Sequence, residues 1–429
     1  YEIMLSESQE RMLIILKSGK EKLAKKIFNK WNLDFEIIGK TTNTNNIVLK
    51  YNKNEVANLP LKSLSEEAPK YDRKWKKSTP PTPKKTVKEF NKIKIFEALK
   101  KILSEPNFCE KRWVWEQYDH TVMSDTIQKP GGDAAVIRIH GKNKGIALTV
   151  DSSSHYCSAY PVDGGKQVVC ETWRNLISVG SNPVAITNCL NFGNPEKEKI
   201  MGQFIESIDG MSQACRYLDF PVVSGNVSFY NETNGKAINP TPTIGGVGLI
   251  SNLDNMITMN LKSTDSLILV VGKTYGHLYQ SAFFREVLKY NEGPPPQINL
   301  FNEKNNGKLI QYLVSKKLVR SIHDISDGGI IIALSEMCMS GNIGAKVDVP
   351  INYNNSYEYL FGEDQSRYLI EIDKNNLKEI KEIMNKFNVY YELIANTQCD
   401  KLEINKEFSI CLDELKNVNY GWFDKFMKN

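Results

Sequence analysis

One polar phrase occurs twice in this chain, and the repeat restricts what the chain can fold into. The stretch LSESQERMLII begins at Leu5 and FGEDQSRYLIE begins at Phe361, so Glu7 aligns with Glu363 at an offset of 356 residues. At this offset and without gaps, the other identical pairs include Gln9/Gln365, Arg11/Arg367, Leu13/Leu369, Ile14/Ile370, Ile27/Ile383, Asn29/Asn385, Lys30/Lys386, Asn32/Asn388, Glu36/Glu392 and Ile38/Ile394. Because the match runs through a whole strand–helix–strand pattern, we predict that the chain contains parts of two copies of one unit.

Hydrophobic periodicity and turn residues define the first part of the chain. Residues 1–56 predict a strand (RMLIILK), a helix (KEKLAKKIFNKW) and two further strands (FEIIGKT and NIVLKY), which together make only a fragment of an α/β domain. Residues 57–105 predict a Pro- and Lys-rich linker with one amphipathic helix, TVKEFNKIKIFEALKKIL. Since Tyr1 is not an initiator methionine, we expect the chain to start inside a longer gene product and to open with the end of the first copy.

The remainder predicts a complete second copy in two domains. Residues 106–253 alternate strands (AAVIRIH, GIALTVD, VAITNCL, PVVSGNVSFY) with two long helices. Residues 254–429 start with the strand SLILVVGK, continue with helices at 277–290, 307–316 and 329–339, and end with the repeated strand–helix–strand. Mixed strands and helices in this order predict an α+β fold of layered domains.

Composition and charge exclude several classes of function. The apolar runs are too short to span a membrane, and the eight cysteines form no C-x-x-C pair, which favours reduced thiols in the cytoplasm. Residues 70–101 hold 12 Lys/Arg against 3 Asp/Glu. The segment STPPTPKK nevertheless lacks the interleaved aromatic residues of a stacking platform, so a solvated linker is favoured over a nucleic-acid site.

Two strand exits carry the strongest chemical signal. TNCLNFGNPE at 187–196 and SGNVSFYNE at 224–232 both follow apolar strands and crowd Asn, Gly and Ser where the strands end. Amide oxygens can bind a hard cation and backbone N–H groups can face a phosphate. Asparagine is also a common turn residue, so spacing alone leaves a binding site and a structural role equally favoured.

Three other polar motifs have competing interpretations. KPGGDAAVIRI, which contains Asp133, is either a phosphate-facing loop or a plain tight turn. In HDISDGG, the side chains of His323, Asp324 and Asp327 could bind a metal, but we favour turn and capping roles, with Asp327 as N-cap of the next helix and Gly341 as its stop. In the first copy of the repeated phrase, the carboxylate of Glu7 beside the amide of Gln9 could recognise a carboxamide substrate by paired donors and acceptors. For Arg11 and Arg367 we favour a structural ion pair with the glutamate of the same phrase.

Taken together, these motifs resemble one enzyme family. SESQERM, WEQYDH, PGGDAAV, TNCLNFGNPE, VVSGNVSFYNET, PTPTIGGVGL, HDISDGG and FGEDQSRY occur in the order found in phosphoribosylformylglycinamidine synthase subunit II, the formylglycinamide ribonucleotide amidotransferase in its small, glutaminase-free form. That family resembles two fused copies of an aminoimidazole ribonucleotide synthetase-like unit. Each copy would have an N-terminal domain that pairs across a central barrel and an α/β C-terminal domain.

The resemblance implies an ATP-dependent ligase of purine biosynthesis. The substrate would be formylglycinamide ribonucleotide, the cofactors ATP and Mg²⁺, and the partners a glutaminase subunit that supplies ammonia and a small bridging subunit. By motif match, substrate would contact Glu7, Ser8, Gln9 and Ser228, ATP would contact Asn188 and Gly225, and Asn226 would ligate Mg²⁺. The expected location is the cytoplasm, with neither nucleic acid nor membrane as a partner.

This sequence departs from the family pattern in three respects. No motif matches the region that holds the family's general-base histidine and most of its Mg²⁺ carboxylates, so the chain is expected to be inactive alone. Ser153, Ser154 and His155 replace the usual Pro-Arg, which puts a phosphate role at that place in doubt. Position 188 is Asn where many relatives have Asp.

Two rival functions remain open from the sequence. Single-copy enzymes of the same superfamily, namely aminoimidazole ribonucleotide synthetase, selenophosphate synthetase and thiamine-phosphate kinase, are disfavoured by the gap-free repeat. A non-catalytic scaffold that only binds partner subunits is the alternative from another class. Nucleotide binding discriminates between a scaffold and a ligase.

Overall fold

The computed structural model describes residues 1–82, 93–350, 355–405 and 407–428. The chain divides into two compact units, Tyr1–Asp72 and Arg73–Asn429. The division falls inside the segment 57–105 that we predicted to be a linker, and the first part of the predicted linker helix lies outside the described residues. The boundary between residues 253 and 254 stays a prediction.

The first unit is only partly regular. It contains helices α1 (Glu2–Leu5), α2 (Glu21–Lys30) and α3 (Leu61–Ser65) and an antiparallel hairpin of β1 (Asn46–Tyr51) and β2 (Asn54–Pro60). The prediction of helix α2 and strand β1 is confirmed. The strands predicted over RMLIILK and FEIIGKT are wrong, since residues 11–17 and 35–41 have no strand structure.

The helices of the second unit are as follows. They are α4 (Ile95–Leu103), α5 (Arg112–Trp115), α6 (Ser154–Ala159), α7 (Pro161–Ser178), α8 (Glu198–Leu218), α9 (Leu300–Ser315), α10 (Gly329–Gly341), α11 (Ser356–Phe361), α12 (Leu377–Phe387), α13 (Leu412–Tyr420) and α14 (Trp422–Phe426). The helix predicted over 277–290 is wrong, because only the π-type turn Phe283–Val287 forms there.

The strands of the second unit form two large sheets and one small ribbon. They are β3 (Thr126–Gln128), β4 (Ala135–Arg138), β5 (Gly145–Ser152), β6 (Asn182–Asn191), β7 (Val222–Ser228), β8 (Glu232–Thr233), β9 (Lys236–Ala237), β10 (Thr241–Ile250), β11 (Ser266–Val271), β12 (Val319–Ile325), β13 (Gly344–Val347), β14 (Arg367–Asp373), β15 (Tyr391–Gln398), β16 (Lys401–Ile404) and β17 (Phe408–Cys411).

A six-stranded sheet in the order β3-β4-β5-β10-β6-β7 carries the two predicted strand exits. In strands β5 and β10 of this sheet, more buried residues alternate with more exposed ones, as expected when one face is covered and the other is open. Helices α7 and α8 cover one face, where Ile186, Leu190 and Ile244 join a core with Val168 and Val169. The opposite face exposes apolar side chains, namely Ile137, Ile146, Leu148, Val150 and Val247.

A seven-stranded sheet in the order β12-β14-β11-β15-β13-β16-β17 forms the middle of a three-layer arrangement. Strand β11 is buried along its whole length, because Leu267 and Leu269 face one core and Ile268 and Val270 face the other. Helices α9 and α12 contribute to the first core, whereas α4 and α10 contribute to the second. Together the two sheets and their helices confirm the predicted α+β fold class.

The two ends of the chain share local geometry at the offset of the repeat. Helix α2 begins at Glu21 and α12 begins at Leu377, which are 356 residues apart. Asn32 and Asn388 follow these helices, and both have a φ of 52°. Their amides donate to Asn29 and Asn385 respectively, at 3.2 and 3.0 Å. At this helix and the turn that follows it, the sequence repeat is therefore also a repeat of backbone conformation.

No helix among the described residues has both the length and the apolar character needed to cross a membrane.

Candidate functional site

The two strand exits are neighbours in space. Strands β6 and β7 run parallel, and their register pairs Asn188 with Gly225, Cys189 with Asn226 and Asn191 with Ser228. Within the part of the chain that the structure describes, β7 is the last strand of its sheet, and its outer edge has no sheet partner. The structure thus brings Asn188, Gly225, Asn226 and Ser228 together at one edge.

These four residues do not share one face of the sheet. Successive strand residues point to opposite sides, so Asn188 and Gly225 point to the side of the sheet on which α7 and α8 pack, whereas Asn226 and Ser228 point to the open side. Strand β7 itself is exposed along most of its length. Motif spacing could not separate these faces. A ligand that touches all four must therefore reach around the free edge of β7.

Gly225 leaves room for the side chain of Asn188. A Cβ built on Gly225 would lie 1.9 Å from Oδ1 of Asn188 and 2.9 Å from its carbonyl oxygen. Any larger residue would displace the amide. The glycine is therefore needed for close packing between the two strand exits, and it leaves the backbone of β7 open to a ligand.

Ser228 is held by the loop that follows β7. Its Oγ donates to Oδ1 of Asn231 at 3.3 Å, while Nδ2 of Asn231 donates to the carbonyl oxygens of Phe192 and Ser228, both at 3.0 Å. Nearby, Glu232 accepts from the amide of Asn194 at 3.0 Å and from Nζ of Lys197 at 2.8 Å. The loop after β7 is thus fastened to the loop after β6.

The residues fit Mg²⁺ only in part. The amide oxygen of Asn226 is a suitable ligand for a hard cation. Residues 186–191 and 222–228 contain no carboxylate, so these strands alone do not neutralise a divalent ion. The phosphate oxygens of a nucleotide would have to supply the remaining negative ligands.

The predicted substrate residues Glu7, Ser8 and Gln9 belong to the first unit. They are exposed, and they lie in a turn in which Arg11 donates from Nε to the carbonyl oxygen of Ser8 at 3.1 Å. The edge of β6 and β7 belongs to the second unit. Their assignment stays a prediction.

The second copy of the phrase is buried, and its side chains are hydrogen-bonded to other groups of the second unit. Glu363 accepts from the amides of Ala282 and Gly328, both at 2.7 Å, and from the hydroxyl of Tyr156. Arg367 donates to the carbonyl oxygens of Asp364 and Gly362. The ion pair that we expected within the phrase is therefore wrong, since the guanidinium fastens the backbone while the carboxylate binds amides elsewhere.

The HDISDGG segment also differs from its prediction. The N-cap of α10 is Gly328, with a φ of 83°, and not Asp327, because a left-handed residue is needed where the chain turns into the helix. Gly341 is the last helical residue, and Asn342 provides the left-handed stop.

His323 joins the PGGDAAV turn to this segment. Its Nδ1 lies 2.8 Å from Oδ1 of Asp133, and its Nε2 lies 2.9 Å from Oε2 of Glu336. Burial lowers the pKa of His323, but these carboxylates raise it well above the ordinary value. With the imidazole protonated, both ring nitrogens donate hydrogen bonds to carboxylates. Asp133 also accepts from the backbone amide of Asp324 at 3.1 Å.

A buried charge cluster lies behind these motifs, and the sequence analysis missed it. Arg174 donates from Nη1 to both carboxylate oxygens of Glu303 at 3.1 Å and from Nη2 to Oε1 of Gln365 at 2.9 Å. Its Nε lies 3.6 Å from Oδ2 of Asp324. Burial raises the pKa of Asp324 to about 7, with a further rise caused by Asp133. The signal in the sequence was the polar trio Glu171, Arg174 and Asn175 among the apolar residues of the stretch 168–177.

The segment that departs from the family pattern lies beside this cluster. Nε2 of His155 is 3.8 Å from Oδ1 of Asp327. Burial lowers the pKa of His155 to about 4, although Asp327 opposes the shift. The imidazole is therefore neutral near pH 7 and does not replace an arginine as a permanent cation.

The sequence of the chain matches known protein families. Residues 131–250 match the AIR synthase related protein, N-terminal domain, and residues 1–52 and 265–403 match the corresponding C-terminal domain. All of the chain aligns with phosphoribosylformylglycinamidine synthase subunit PurL of Pelagibacter ubique, at 55% identity over 59% of that protein. PurL of Rhodopseudomonas palustris (strain BisB5) is 46% identical over 58% of its length. The chain thus spans less than two thirds of these relatives.

Solved structures agree on the fold. Thermotoga maritima PurL complexed with FGAR has a TM-score of 0.61 at 19% identity, over 76% of this chain and 53% of that one. The T. maritima PurL complexed with ATP has a TM-score of 0.55 at 18% identity, over 70% of this chain and 49% of that one. At these identities the likeness concerns the fold alone.

Proposed function

Because the chain belongs to the phosphoribosylformylglycinamidine synthase subunit PurL family of AIR synthase related proteins, we propose that it forms part of an ATP-dependent ligase of purine biosynthesis. The ligase would convert formylglycinamide ribonucleotide and ammonia to formylglycinamidine ribonucleotide. The observation that carries the proposal is the pairing of Asn188 with Gly225 and of Cys189 with Asn226 at the free edge of β7.

The proposed reaction has two steps. The γ-phosphoryl group of ATP passes to the amide oxygen of the substrate, and ADP leaves. Ammonia then adds to the activated carbon and loses a proton, the C–O bond breaks, and inorganic phosphate leaves to give the amidine. Most of the catalysis in such phosphoryl transfer comes from positioning and electrostatic stabilisation.

Residues of this chain would do the positioning. Asn188 and the backbone at Gly225 would hold ATP, and Ser228, fixed by Asn231, would contact substrate together with Glu7, Ser8 and Gln9. Mg²⁺, bound in part through Asn226, would neutralise charge on the phosphates. No general-base histidine of the family has a match in this chain, so we propose that the chain alone binds nucleotide without turnover.

The repeat supports a further part of the proposal. We propose that the first unit and residues 254–429 derive from a duplicated domain, given their shared helix starts and left-handed asparagines. The open apolar face around Val150 would pack against the N-terminal domain of the first copy and close a barrel. Burial of such a face is strongly favourable, and exposed patches of this kind mark interaction surfaces. A glutaminase subunit and a small bridging subunit would supply ammonia.

Isothermal titration of the chain with ATP and Mg²⁺ tests the proposal. We expect saturable binding that is lost in Asn226→Ala and kept in Asn239→Ala, a matched exposed asparagine outside the strand. A chain that is folded yet has no nucleotide affinity would favour the scaffold function. For the full-length enzyme, the decisive assay is ammonia-dependent ATP hydrolysis that requires formylglycinamide ribonucleotide.

A further inference from the structure

The two copies of the polar phrase form turns that are fastened in the same way. In the second unit, Arg367 donates from Nε to the carbonyl oxygen of Asp364 at 2.8 Å and from Nη2 to that of Gly362 at 2.6 Å. In the first unit, Arg11 donates from Nε to Ser8 at 3.1 Å and from Nη2 to Ser6 at 3.5 Å. The acceptors lie three and five residues before the arginine in both turns.

The backbone of the two turns also agrees. Glu10 has a φ of 58° and Ser366 has a φ of 63°, and these residues occupy equivalent positions immediately before the arginines. A residue with a side chain adopts this left-handed conformation only when its surroundings stabilise it. The planar guanidinium provides that support, because it donates to two carbonyl oxygens in a fixed geometry.

The turn at 362–366 indicates what such a fastened turn does. Its three central side chains each accept hydrogen bonds from different donors. Glu363 accepts from the backbone amides of Ala282 and Gly328. Asp364 accepts from the backbone amides of Tyr275 and Gly276, and Gln365 accepts from the guanidinium of Arg174. The turn thus presents three consecutive acceptors. In the first unit the equivalent side chains, those of Glu7, Ser8 and Gln9, are exposed instead.

We propose that Arg11 is a positioning residue that preforms the turn 6–10 for binding formylglycinamide ribonucleotide. This inference rests on the proposed function, in which Glu7, Ser8 and Gln9 contact the substrate. Arg11 itself points at the backbone and does not touch the substrate. Preforming the turn lowers the ordering cost of binding, so its loss weakens substrate affinity without changing the chemistry.

The test uses Arg11→Lys and Arg11→Gln in the full-length enzyme, with Lys25→Gln as the control cation on an exposed face of α2. A lysine cannot donate to both carbonyl oxygens in the fork geometry, so both Arg11 variants should behave alike. If the preformed turn falls to about a tenth of the population, KM for formylglycinamide ribonucleotide rises about tenfold, while kcat and KM for ATP stay near their original values. The thermal shift given by the substrate should shrink in parallel, and that given by ADP should persist.

The other outcomes separate the inference from its premise. Arg11 variants with unchanged KM for the substrate would refute the positioning role while the proposed function stands. If kcat, the affinity for ATP and the melting temperature all fell together with the affinity for substrate, Arg11 would act only in folding. Should the unmodified enzyme show no substrate-dependent ATP hydrolysis, the proposed function itself fails, and the inference fails with it.

Discussion

The side-chain oxygen of Asn188 occupies the space in which any residue other than glycine at position 225 would place its Cβ, only 1.9 Å away. Gly225→Ala should therefore push the Asn188 amide aside and reduce the space for a ligand beside the backbone of β7. Overpacking of this kind costs about 1–3 kcal/mol. We expect the affinity for ATP to fall by about tenfold or more, a loss of roughly 1.4 kcal/mol, as measured by isothermal titration.

Gly39→Ala is the control for this substitution, because nothing lies within 4 Å of a Cβ built at Gly39. It should leave nucleotide affinity unchanged. Equal losses in the two variants would show that steric pressure at Gly225 is not the cause.

Asn231 should matter for substrate binding although it is not a predicted contact. Its Nδ2 donates to the carbonyl oxygens of Phe192 and Ser228, and its Oδ1 accepts from Oγ of Ser228. In the full-length enzyme, Asn231→Ala should lower stability by about 1 kcal/mol, the usual contribution of one hydrogen bond, and raise KM for substrate severalfold. Steady-state kinetics of Asn231→Ala and Ser228→Ala, measured in parallel, test this expectation. A KM for substrate that is raised in Ser228→Ala but unchanged in Asn231→Ala would contradict it.

Local patterns predicted the type of several helices and strands correctly. Helix α2, strand β6 and strand β7 were all anticipated from periodicity and turn residues. The predicted strands at 11–17 and 35–41 failed because a strand needs a hydrogen-bonding neighbour. Their counterparts succeed in the second unit, where β14 lies between β11 and β12. A local apolar pattern does not reveal whether such a neighbour exists.

The candidate site was predictable in part for a similar reason. The crowding of polar residues at two strand exits was visible in the sequence, and parallel pairing then placed them together. The opposite faces of Asn188 and Asn226 depend on register, which spacing does not supply. The pairing of Arg174 with Glu303 joins residues that are 129 positions apart. Only the tertiary fold could bring this buried pair together.

Arg174 should be among the most sensitive positions of the second unit. Both Arg174 and Glu303 are fully buried, and Asp324 lies on the other side of the guanidinium. Arg174→Met would leave two buried carboxylates without their cation, a loss of about 3–5 kcal/mol in the free energy of unfolding. Arg320→Met is the matched control, since its pair with Asp373 is about one third exposed and should contribute about 1 kcal/mol or less. Similar losses of unfolding free energy in Arg174→Met and Arg320→Met, measured by chemical denaturation, would contradict the role of burial.

The buried carboxyls should make stability fall as the pH rises from about 5 to 7, because the folded chain holds protons that the unfolded chain releases. The lowered pKa of His155 opposes this trend only below about pH 6.5. Burial, followed by the charge of Asp327, raises the pKa of Glu363 from 4.5 to about 7. Burial likewise raises the pKa of Asp151 to about 6 and that of Asp324 to about 7. Each protonated carboxyl contributes to the stability of the folded chain at low pH. This contribution is lost as the pH rises through the pKa of the folded state. His323 acts in the same direction, since its raised pKa makes its charge a source of stability that disappears at high pH.

Glu363→Gln isolates one of these protons. The amide can still accept from Ala282 and Gly328 through its oxygen, but it cannot ionise. We expect the melting temperature of this variant to depend less on pH between about 5 and 7, the interval between the unfolded and the folded pKa of Glu363, with the slope of unfolding free energy against pH reduced by up to one proton equivalent. Glu414→Gln, at an exposed pair with Lys100, should keep the original slope. An unaltered slope in Glu363→Gln would mean that Glu363 is already ionised in the fold and that Arg285 outweighs its burial.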